Sequence, residues 1–222
     1  RQDGKRAGFN LALRFVQFYN NVLGRPEKKT VLCRWDGYHG STHLTAACSG
    51  RIGNRPNFDL ESESISFLTA PNNYRRPEGV SEEGFLKFLL DEAEERVRSI
   101  GPERVAAILA EPIQASGGVI VPPEGYLKGM RALSKRYDLL FISDEVVTGF
   151  GRCGHWFASE AVFGVVPDII TFAKGVTSGY VPLGGFAISD AILGRISGAA
   201  AKGSYFTNGY TYTGHPVSCA AG

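Results

Sequence analysis

The chain has 222 residues, of which 43% are hydrophobic and 21% charged, a balance typical of a folded globular protein and not of a disordered one. The 24 basic and 22 acidic residues leave a formal net charge of +2, which gives no electrostatic reason to expect nucleic acid or an acidic membrane as a partner. The apolar runs are too short to span a bilayer, and the first five residues lack the apolar core of a secretory signal.

Apolar runs alternate with amphipathic segments along the chain, which predicts strands separated by helices. After a first strand at residues 30–33, residues 50–76 are interpreted as a loop-rich stretch. Ser81 is the predicted N-cap of a long helix whose first turn carries Glu82 and Glu83. The apolar face of this helix is expected to contain Phe85, Phe88, Leu89 and Ala93. The other strands are predicted at residues 105–109, 139–143, 168–172 and 185–188, and the other helices at residues 124–137 and 158–163.

Strands that are apolar on both faces and separated by helices predict an α/β fold, with a mostly parallel sheet and helices on both faces. Residues 1–222 are interpreted as one domain. Ligands of such sheets bind beyond the carboxyl ends of the strands. The polar residues at three of those ends are Glu111, Asp144 with Glu145, and Lys174, and glycines cluster nearby. These residues are therefore the first candidates for a site.

Cysteine and histidine spacing gives no sign of a metal site. His39 and His43 are four residues apart, but Gly37 and Gly40 argue against a helix that would place both on one face. His39 is interpreted instead as a packing or hydrogen-bonding residue. No cysteine pair has metal-ligand or redox spacing, so free thiols in a reducing compartment, the cytoplasm, are predicted for Cys33, Cys48, Cys153 and Cys219.

Asp144 and Lys174 each end an apolar run, and one helix–strand unit separates them. A buried carboxylate needs a cation or several donors. A lysine that loses solvation there would have a lowered pKa and a nucleophilic neutral amine suited to Schiff-base chemistry. On these two residues alone, a surface lysine paired with an acid has the greater weight.

Longer motifs surround both residues and change that balance. The chain carries ISDEVVTGFGR at residues 142–152 and PDIITFAKG at residues 167–175, which resemble the aspartate and lysine motifs of class III aminotransferases. The accompanying motifs occur in the family's order: AEPIQ at 110–114 with glycines at 117 and 118, PPEGY at 122–126, GYVPLG at 179–184 and YTYTGHP at 210–216. The resemblance runs from about Phe15 to the end. It implies the large domain of a fold type I enzyme that depends on pyridoxal 5'-phosphate.

The resemblance also implies a role for individual residues. Lys174 would hold the cofactor covalently, and Asp144 would pair with the pyridine nitrogen and keep it protonated. Val146 would lie against one face of the ring, and Tyr38 would stack on the other. The remaining cofactor-binding residues are His39, Glu111, expected close to Asp144, and Thr211, expected to bind the cofactor phosphate of the partner subunit in a homodimer.

The activity implied is transfer of an amino group from an amine or ω-amino acid to a 2-oxo acid such as pyruvate, at active sites on the dimer interface. Gln114 and the following glycines are most similar to the ω-amine:pyruvate branch. The alternatives are an aminomutase, a racemase or an acetylornithine-type transaminase on the same scaffold, and a degraded relative that binds cofactor weakly. The residues of a C-terminal small domain would discriminate between the sister activities.

Three departures from the family bear on these expectations. Residues 5–10 read KRAGFN where the family has a Gly-Ser-rich turn that holds the cofactor phosphate at a helix N-terminus. Val147 stands where some relatives have a glutamine that touches the cofactor hydroxyl. Family members are longer, so the chain is expected to lack an N-terminal segment and the C-terminal small domain.

Two further patterns point to competing interpretations. Glycines at 149, 151 and 154 satisfy the dinucleotide fingerprint GxGxxG, and Asp168 lies 168 − 149 = 19 residues further on. Asp144 and Glu145 would place negative charge beside the pyrophosphate, so a nicotinamide site is disfavoured. Three arginines that could face a substrate are predicted to be solvated: Arg34, Arg51 and Arg55.

Overall fold

A computed structural model describes residues 4–61, 63–200 and 203–222. The helices are α1 (Gly4–Val22), α2 (His43–Ala47), α3 (Glu82–Ile100), α4 (Tyr126–Arg136), α5 (Ala158–Ala161), α6 (Asp190–Ala200) and α7 (Pro216–Ala221). The strands are β1 (Thr30–Arg34), β2 (Ile65–Leu68), β3 (Val105–Ala110), β4 (Leu140–Asp144), β5 (Ile169–Ala173) and β6 (Gly184–Ile188). Short 3₁₀ helices cover Ile52–Asn54, Asn73–Arg75 and Lys174–Thr177.

The strands form one sheet in the order β2-β1-β3-β4-β5-β6. The first five are parallel, and β6 runs antiparallel to β5. Every residue of β1, β3 and β4 is buried, as expected for central strands covered on both faces. The predicted α/β fold with a mostly parallel sheet is confirmed.

Helices cover the two faces of the sheet. Apolar residues of α1 recur at helical spacing and pack on one face: Phe9, Ala12, Leu13 and Val16. Helices α3 and α4 cover the other face through Phe85, Leu89, Ala93, Val97, Met130 and Leu133. Ser81 caps α3 as predicted, its side chain accepting the Gly84 amide. The prediction that Phe88 lies on the buried face is wrong, since half of it is exposed beside Phe85.

Helix α1 and strand β6 meet backbone to backbone. A Cβ on Gly8 would lie 2.6 Å from the Gly185 carbonyl oxygen and 2.7 Å from its amide nitrogen. Real Cβ atoms do not approach backbone that closely, so only glycine fits at position 8. This contact fixes α1 against the strand that comes after Lys174. Within the described residues, no helix is long and apolar enough to cross a membrane.

Candidate active site

The carboxyl ends of β1, β3, β4 and β5 lie at one edge of the sheet because these strands are parallel. The loop after β1 carries Tyr38 and His39, and Glu111 follows β3 directly. Asp144 is the last residue of β4, and Lys174 follows the last residue of β5. The topology thus brings together candidates that are far apart in sequence.

Asp144 and His39 form a buried pair. His39 Nδ1 lies 2.7 Å from Asp144 Oδ2, and the two side chains are only 2% and 3% exposed. The other carboxylate oxygen, Oδ1, accepts the Val146 amide at 3.1 Å. The His39 ring stacks on Phe9 of α1 with centroids 5.0 Å apart. Asp144 therefore meets the partners that a buried carboxylate was expected to need, and the hydrogen-bonding interpretation of His39 is confirmed.

Glu111 lies between these two residues in the order of the strands. Its Oε1 accepts the Tyr38 amide at 3.1 Å, so β3 is linked to the loop after β1. Burial raises the pKa of the Glu111 carboxyl above its ordinary value; nearby His39 opposes this shift, and the charge of Asp144 adds to it. Proton loss from Glu111 is therefore harder than from an exposed glutamate.

The two residues expected to enclose a ring differ in exposure. Tyr38 is half-buried, and its hydroxyl lies 2.9 Å from the Ser41 hydroxyl. Val146 is 3% exposed and lies in the turn that β4 enters. Tyr38 thus keeps part of its surface open at this edge of the sheet, while Val146 is almost fully packed.

The side chain of Lys174 is more exposed to solvent than the sequence predicted. It was predicted to lose solvation, yet its side chain is exposed, because the sheet ends at Ala173 and several of the next residues are exposed too. Its backbone is in the left-handed region, with φ of 48°. A residue with a side chain rarely adopts this conformation outside sites that the surrounding structure determines.

Two segments were expected near a phosphate, one at each end of the chain. Thr211 is exposed. The neighbouring Tyr210 hydroxyl donates to Asn10 Oδ1 of α1 at 2.9 Å. Residues 5–10 lie inside α1, which begins at Gly4, so this stretch forms helix and not the Gly-Ser-rich turn of the family.

Three polar residues are buried here for reasons that the sequence did not indicate: Arg34, predicted to be solvated, Glu145, named only by its place after a strand, and Thr171. Arg34 is 3% exposed, not solvated, because it follows the alternation of β1 toward the α3 and α4 side, where its Nη2 donates to the Glu111 carbonyl at 2.6 Å. Glu145 is fully buried and accepts the Ala158 and Ser159 amides. The Thr171 hydroxyl is buried and lacks a hydrogen-bond partner in the described part of the chain. The signal available for Arg34 was its position at the end of an apolar run.

The other two arginines differ. Arg51 is exposed, as predicted. Arg55 is half-buried, with its guanidinium 4.9 Å from the centre of the Phe67 ring, because that ring and the Ser49 carbonyl give it partners beside β2. The prediction of a solvated Arg55 is therefore wrong.

The competing site types find no support in the described residues. No group of histidine, cysteine or acidic residues there could hold a metal ion. His39 precedes α2, which begins at His43. Residues 149–154 form a turn that does not open a helix, and Asp168 forms a two-pronged ion pair with Arg131 at 2.6 and 2.8 Å. This geometry agrees with the interpretation that disfavours a nicotinamide site.

Comparison with known proteins gives one consistent family. The family described as aminotransferase class-III matches residues 6–222. Diaminobutyrate–2-oxoglutarate transaminase of Halomonas elongata is 42% identical over 213 residues, covering 95% of this chain and 45% of that protein. Putrescine–pyruvate aminotransferase of Pseudomonas aeruginosa is 41% identical, covering 94% of this chain and 44% of that protein. The chain thus spans less than half the length of these relatives.

Solved structures agree with the sequence comparison. An omega transaminase from Pseudomonas jessenii in complex with PMP matches with a TM-score of 0.93 and 36% identity, over 100% of this chain and 49% of that one. A thermostable (S)-enantioselective omega-transaminase from Thermomicrobium roseum matches with a TM-score of 0.92 and 40% identity, over 99% of this chain and 48% of that one. The sequence comparison and the structural comparison therefore identify the same kind of protein, the transaminases.

Proposed function

We propose that this chain, which belongs to the class-III aminotransferases, forms the large cofactor-binding domain of a pyridoxal-phosphate-dependent transaminase, with residues 1–222 as that domain. The proposed reaction moves an amino group from an amine or ω-amino acid to a 2-oxo acid such as pyruvate. The observation that carries the proposal is the buried Asp144–His39 pair at the sheet edge where Lys174 ends β5.

The residues at this edge fit the ring end of the cofactor. A protonated ring nitrogen needs a carboxylate that stays ionised, and the oxygens of Asp144 are oriented by His39 and the Val146 amide. Thr171 pairs in register with Asp144 on the neighbouring strand, and its buried hydroxyl has no partner among the described residues. A buried hydroxyl without a protein partner usually binds a ligand or an ordered water, so the Thr171 hydroxyl supports the proposal of a bound group beside Asp144.

Pyridoxal phosphate, when bound, supplies an electron sink that stabilises negative charge on a substrate carbon. In the proposed mechanism Lys174 would be the residue that holds the cofactor, through Nζ. Once released from it, the Lys174 amine would act as the general base and acid that moves a proton of the substrate. The exposure of its side chain suits a group that must move between these two roles.

Asp144, His39 and Glu111 have supporting roles in this mechanism. Asp144 would pair with the ring nitrogen and keep it protonated, and His39 orients the Asp144 carboxylate through Oδ2. Burial and the charge of Asp144 raise the pKa of Glu111, and the Glu111 carboxyl accepts the Tyr38 amide, so Glu111 would hold Tyr38 in place beside the ring. Val146 and the half-buried Tyr38 are proposed to enclose the ring from its two faces.

The substrate class is proposed from the relatives. Their names include diaminobutyrate, putrescine and gamma-aminobutyrate, and their acceptors include 2-oxoglutarate and pyruvate. Gln114 and its glycine turn support the ω-amine:pyruvate branch. A panel of these three donors, each with both acceptors, tests the proposal in the full-length protein. Turnover of a terminal amine with pyruvate is expected, and turnover limited to 2-oxoglutarate would contradict the branch.

A homodimer is proposed as the active assembly, with Thr211 binding the cofactor phosphate of the second copy. The exposure of Thr211 leaves its hydroxyl accessible for this contact. The cytoplasmic location stays a prediction, since relatives include proteins named mitochondrial and chloroplastic.

One observation favours a second candidate, a degraded relative that binds the cofactor weakly. Residues 5–10 continue α1 and do not form the family's phosphate-binding turn. The two candidates separate on an absorbance band near the edge of the visible range, measured after addition of cofactor. A transaminase shows the band and loses it in Lys174→Ala, whereas a full-length protein with no band is not a transaminase.

A further inference from the structure

The backbone of Lys174 is left-handed, and specific contacts of the neighbouring residues surround it. Lys174 directly follows β5 and begins the 3₁₀ helix Lys174–Thr177. Its φ of 48° is unusual for any residue with a Cβ, and such a conformation persists only where neighbouring contacts determine it. The direction in which the Lys174 side chain leaves the sheet depends on this backbone.

The first of these contacts is between Gly175 and Phe150. A Cβ on Gly175 would lie 2.9 Å from the Cβ of Phe150 and 3.4 Å from the Gly149 carbonyl oxygen. Phe150 is itself left-handed, with φ of 56°. Gly175 therefore packs between the left-handed Phe150 and its own left-handed neighbour Lys174, so a shift of Phe150 would press on the residue next to Lys174.

Phe150 is in turn fixed by an aromatic cluster. Its ring makes edge-to-face contacts with Phe157 at 5.4 Å, Phe172 at 5.8 Å and Trp156 at 6.1 Å between centroids. The Phe150 amide also donates to the Trp156 carbonyl at 2.7 Å. The ring is thus fixed on both sides of the turn that carries it.

Glu145 anchors the start of the same turn. Its fully buried carboxylate accepts the Thr148 hydroxyl at 2.5 Å and the amides of Ala158 and Ser159 at 3.1 and 2.6 Å. The Gly149 amide donates to the Glu145 carbonyl at 2.9 Å. A buried carboxylate with this many donors holds both ends of the 145–159 loop together.

We propose that Phe150, anchored by Glu145, is a positioning residue for Lys174, an inference that rests on the proposed function. Phe150 packs against Gly175 and holds the preceding lysine in its left-handed conformation, so that the amine leaves the end of β5 in one direction. The proposed roles of Asp144 and Tyr38 are contacts with the cofactor, whereas Phe150 acts through the backbone of Lys174.

The test compares Phe150→Leu with Phe163→Leu in the full-length protein loaded with pyridoxal phosphate. Both residues are half-buried phenylalanines, but Phe163 packs on the α3–α4 side of the sheet. The readouts are the pH midpoint of the Lys174-dependent absorbance band and the single-turnover rate with an amine donor. Phe150→Leu is expected to shift the midpoint by about half a pH unit. It is also expected to lower the rate about tenfold, because small misplacements of a reacting group are costly.

A second variant changes the other residue of the contact between Phe150 and Gly175. Gly175→Ala adds the methyl group that would meet the Phe150 Cβ, and the same two shifts are expected. This variant decides the matter if Phe150→Leu fails to fold. The proposal is overturned if the folded variants keep the midpoint and rate of the unsubstituted protein. It is also overturned if Phe163→Leu changes both as much as Phe150→Leu does.

The outcomes separate this inference from the proposed function. An unsubstituted protein without a Lys174-dependent band contradicts the transaminase itself. A normal band that Phe150→Leu and Gly175→Ala leave unchanged contradicts only the positioning role.

Discussion

His39 Nδ1 lies 2.7 Å from Asp144 Oδ2, and this contact joins the loop after β1 to the end of β4 across the intervening strand β3. Glu111, at the end of β3, is linked to the same loop through the Tyr38 amide. The ends of β1, β3 and β4 are therefore connected by a network of hydrogen bonds. Separate substitutions of His39, Glu111 and Asp144 measure what each residue contributes to activity or stability.

Asp144→Asn is expected to keep the fold and to lower kcat by about 10²-fold or more, because a neutral amide cannot hold a proton on the ring nitrogen. The measurement is steady-state turnover with a terminal amine and pyruvate. Asp138→Asn is the matched control, since Asp138 is an exposed aspartate with positive φ, which asparagine tolerates. Equal turnover of the two variants would contradict the role of Asp144.

His39→Leu is expected to lower kcat/KM about tenfold to a hundredfold. A hydrogen bond to a charged group is worth about 1.5–3 kcal/mol, and each 1.4 kcal/mol is about tenfold in rate. His39→Asn keeps a donor near the position of Nδ1, so a smaller loss is expected. Measuring both variants with one donor checks the order, and equal losses would assign His39 to packing on Phe9 alone.

Glu111→Gln is expected to change how stability depends on pH. The pKa of Glu111 is raised in the folded protein from its ordinary value of 4.5, so its contribution to stability is present below that value and lost as pH rises through the raised pKa. The variant has no proton to lose there. Its Tm relative to the unsubstituted protein is expected to rise as pH increases above that ordinary value. A difference in Tm that does not change with pH would contradict a raised pKa for Glu111.

Gly8→Ala is expected to destabilise the protein by about 1–3 kcal/mol, because the new methyl group meets the backbone of Gly185, which cannot move aside cheaply. Gly194→Ala is the matched control in α6, since a Cβ at that position meets nothing within 4 Å. The control is expected to gain up to about 1 kcal/mol from helix propensity. Urea unfolding measures both, and equal changes would contradict the tight contact between α1 and β6.

Much of the sheet was predictable from local pattern, and the exceptions have physical reasons. Strands β3, β4 and β5 are apolar runs bounded by helices, and they lie within one residue of their predicted positions. Strand β2 was not predicted because it is a four-residue edge strand that is only partly buried. The first part of helix α1 was not predicted either, because the family resemblance implies a phosphate-binding turn at residues 5–10 that leads into a helix at about Leu11.

The sequence predicted which residues form the site but not the hydrogen bonds between them. The motifs indicated Asp144, Lys174 and Glu111, and the parallel sheet placed them at one edge. The contact between His39 and Asp144 joins residues 105 positions apart, so it depends on the strand order. The exposure of Lys174 was not predictable either, since it depends on the conformation of the chain beyond the end of β5.

Lys174 is the residue proposed to hold the cofactor. Borohydride reduction of the full-length protein loaded with pyridoxal phosphate makes the lysine–cofactor bond permanent, and peptide mass mapping then locates it. The predicted result is one phosphopyridoxyl group on the peptide that contains Lys174, absent from Lys174→Ala. A phosphopyridoxyl group on a different lysine, or equal labelling of Lys174→Ala, would contradict this role of Lys174.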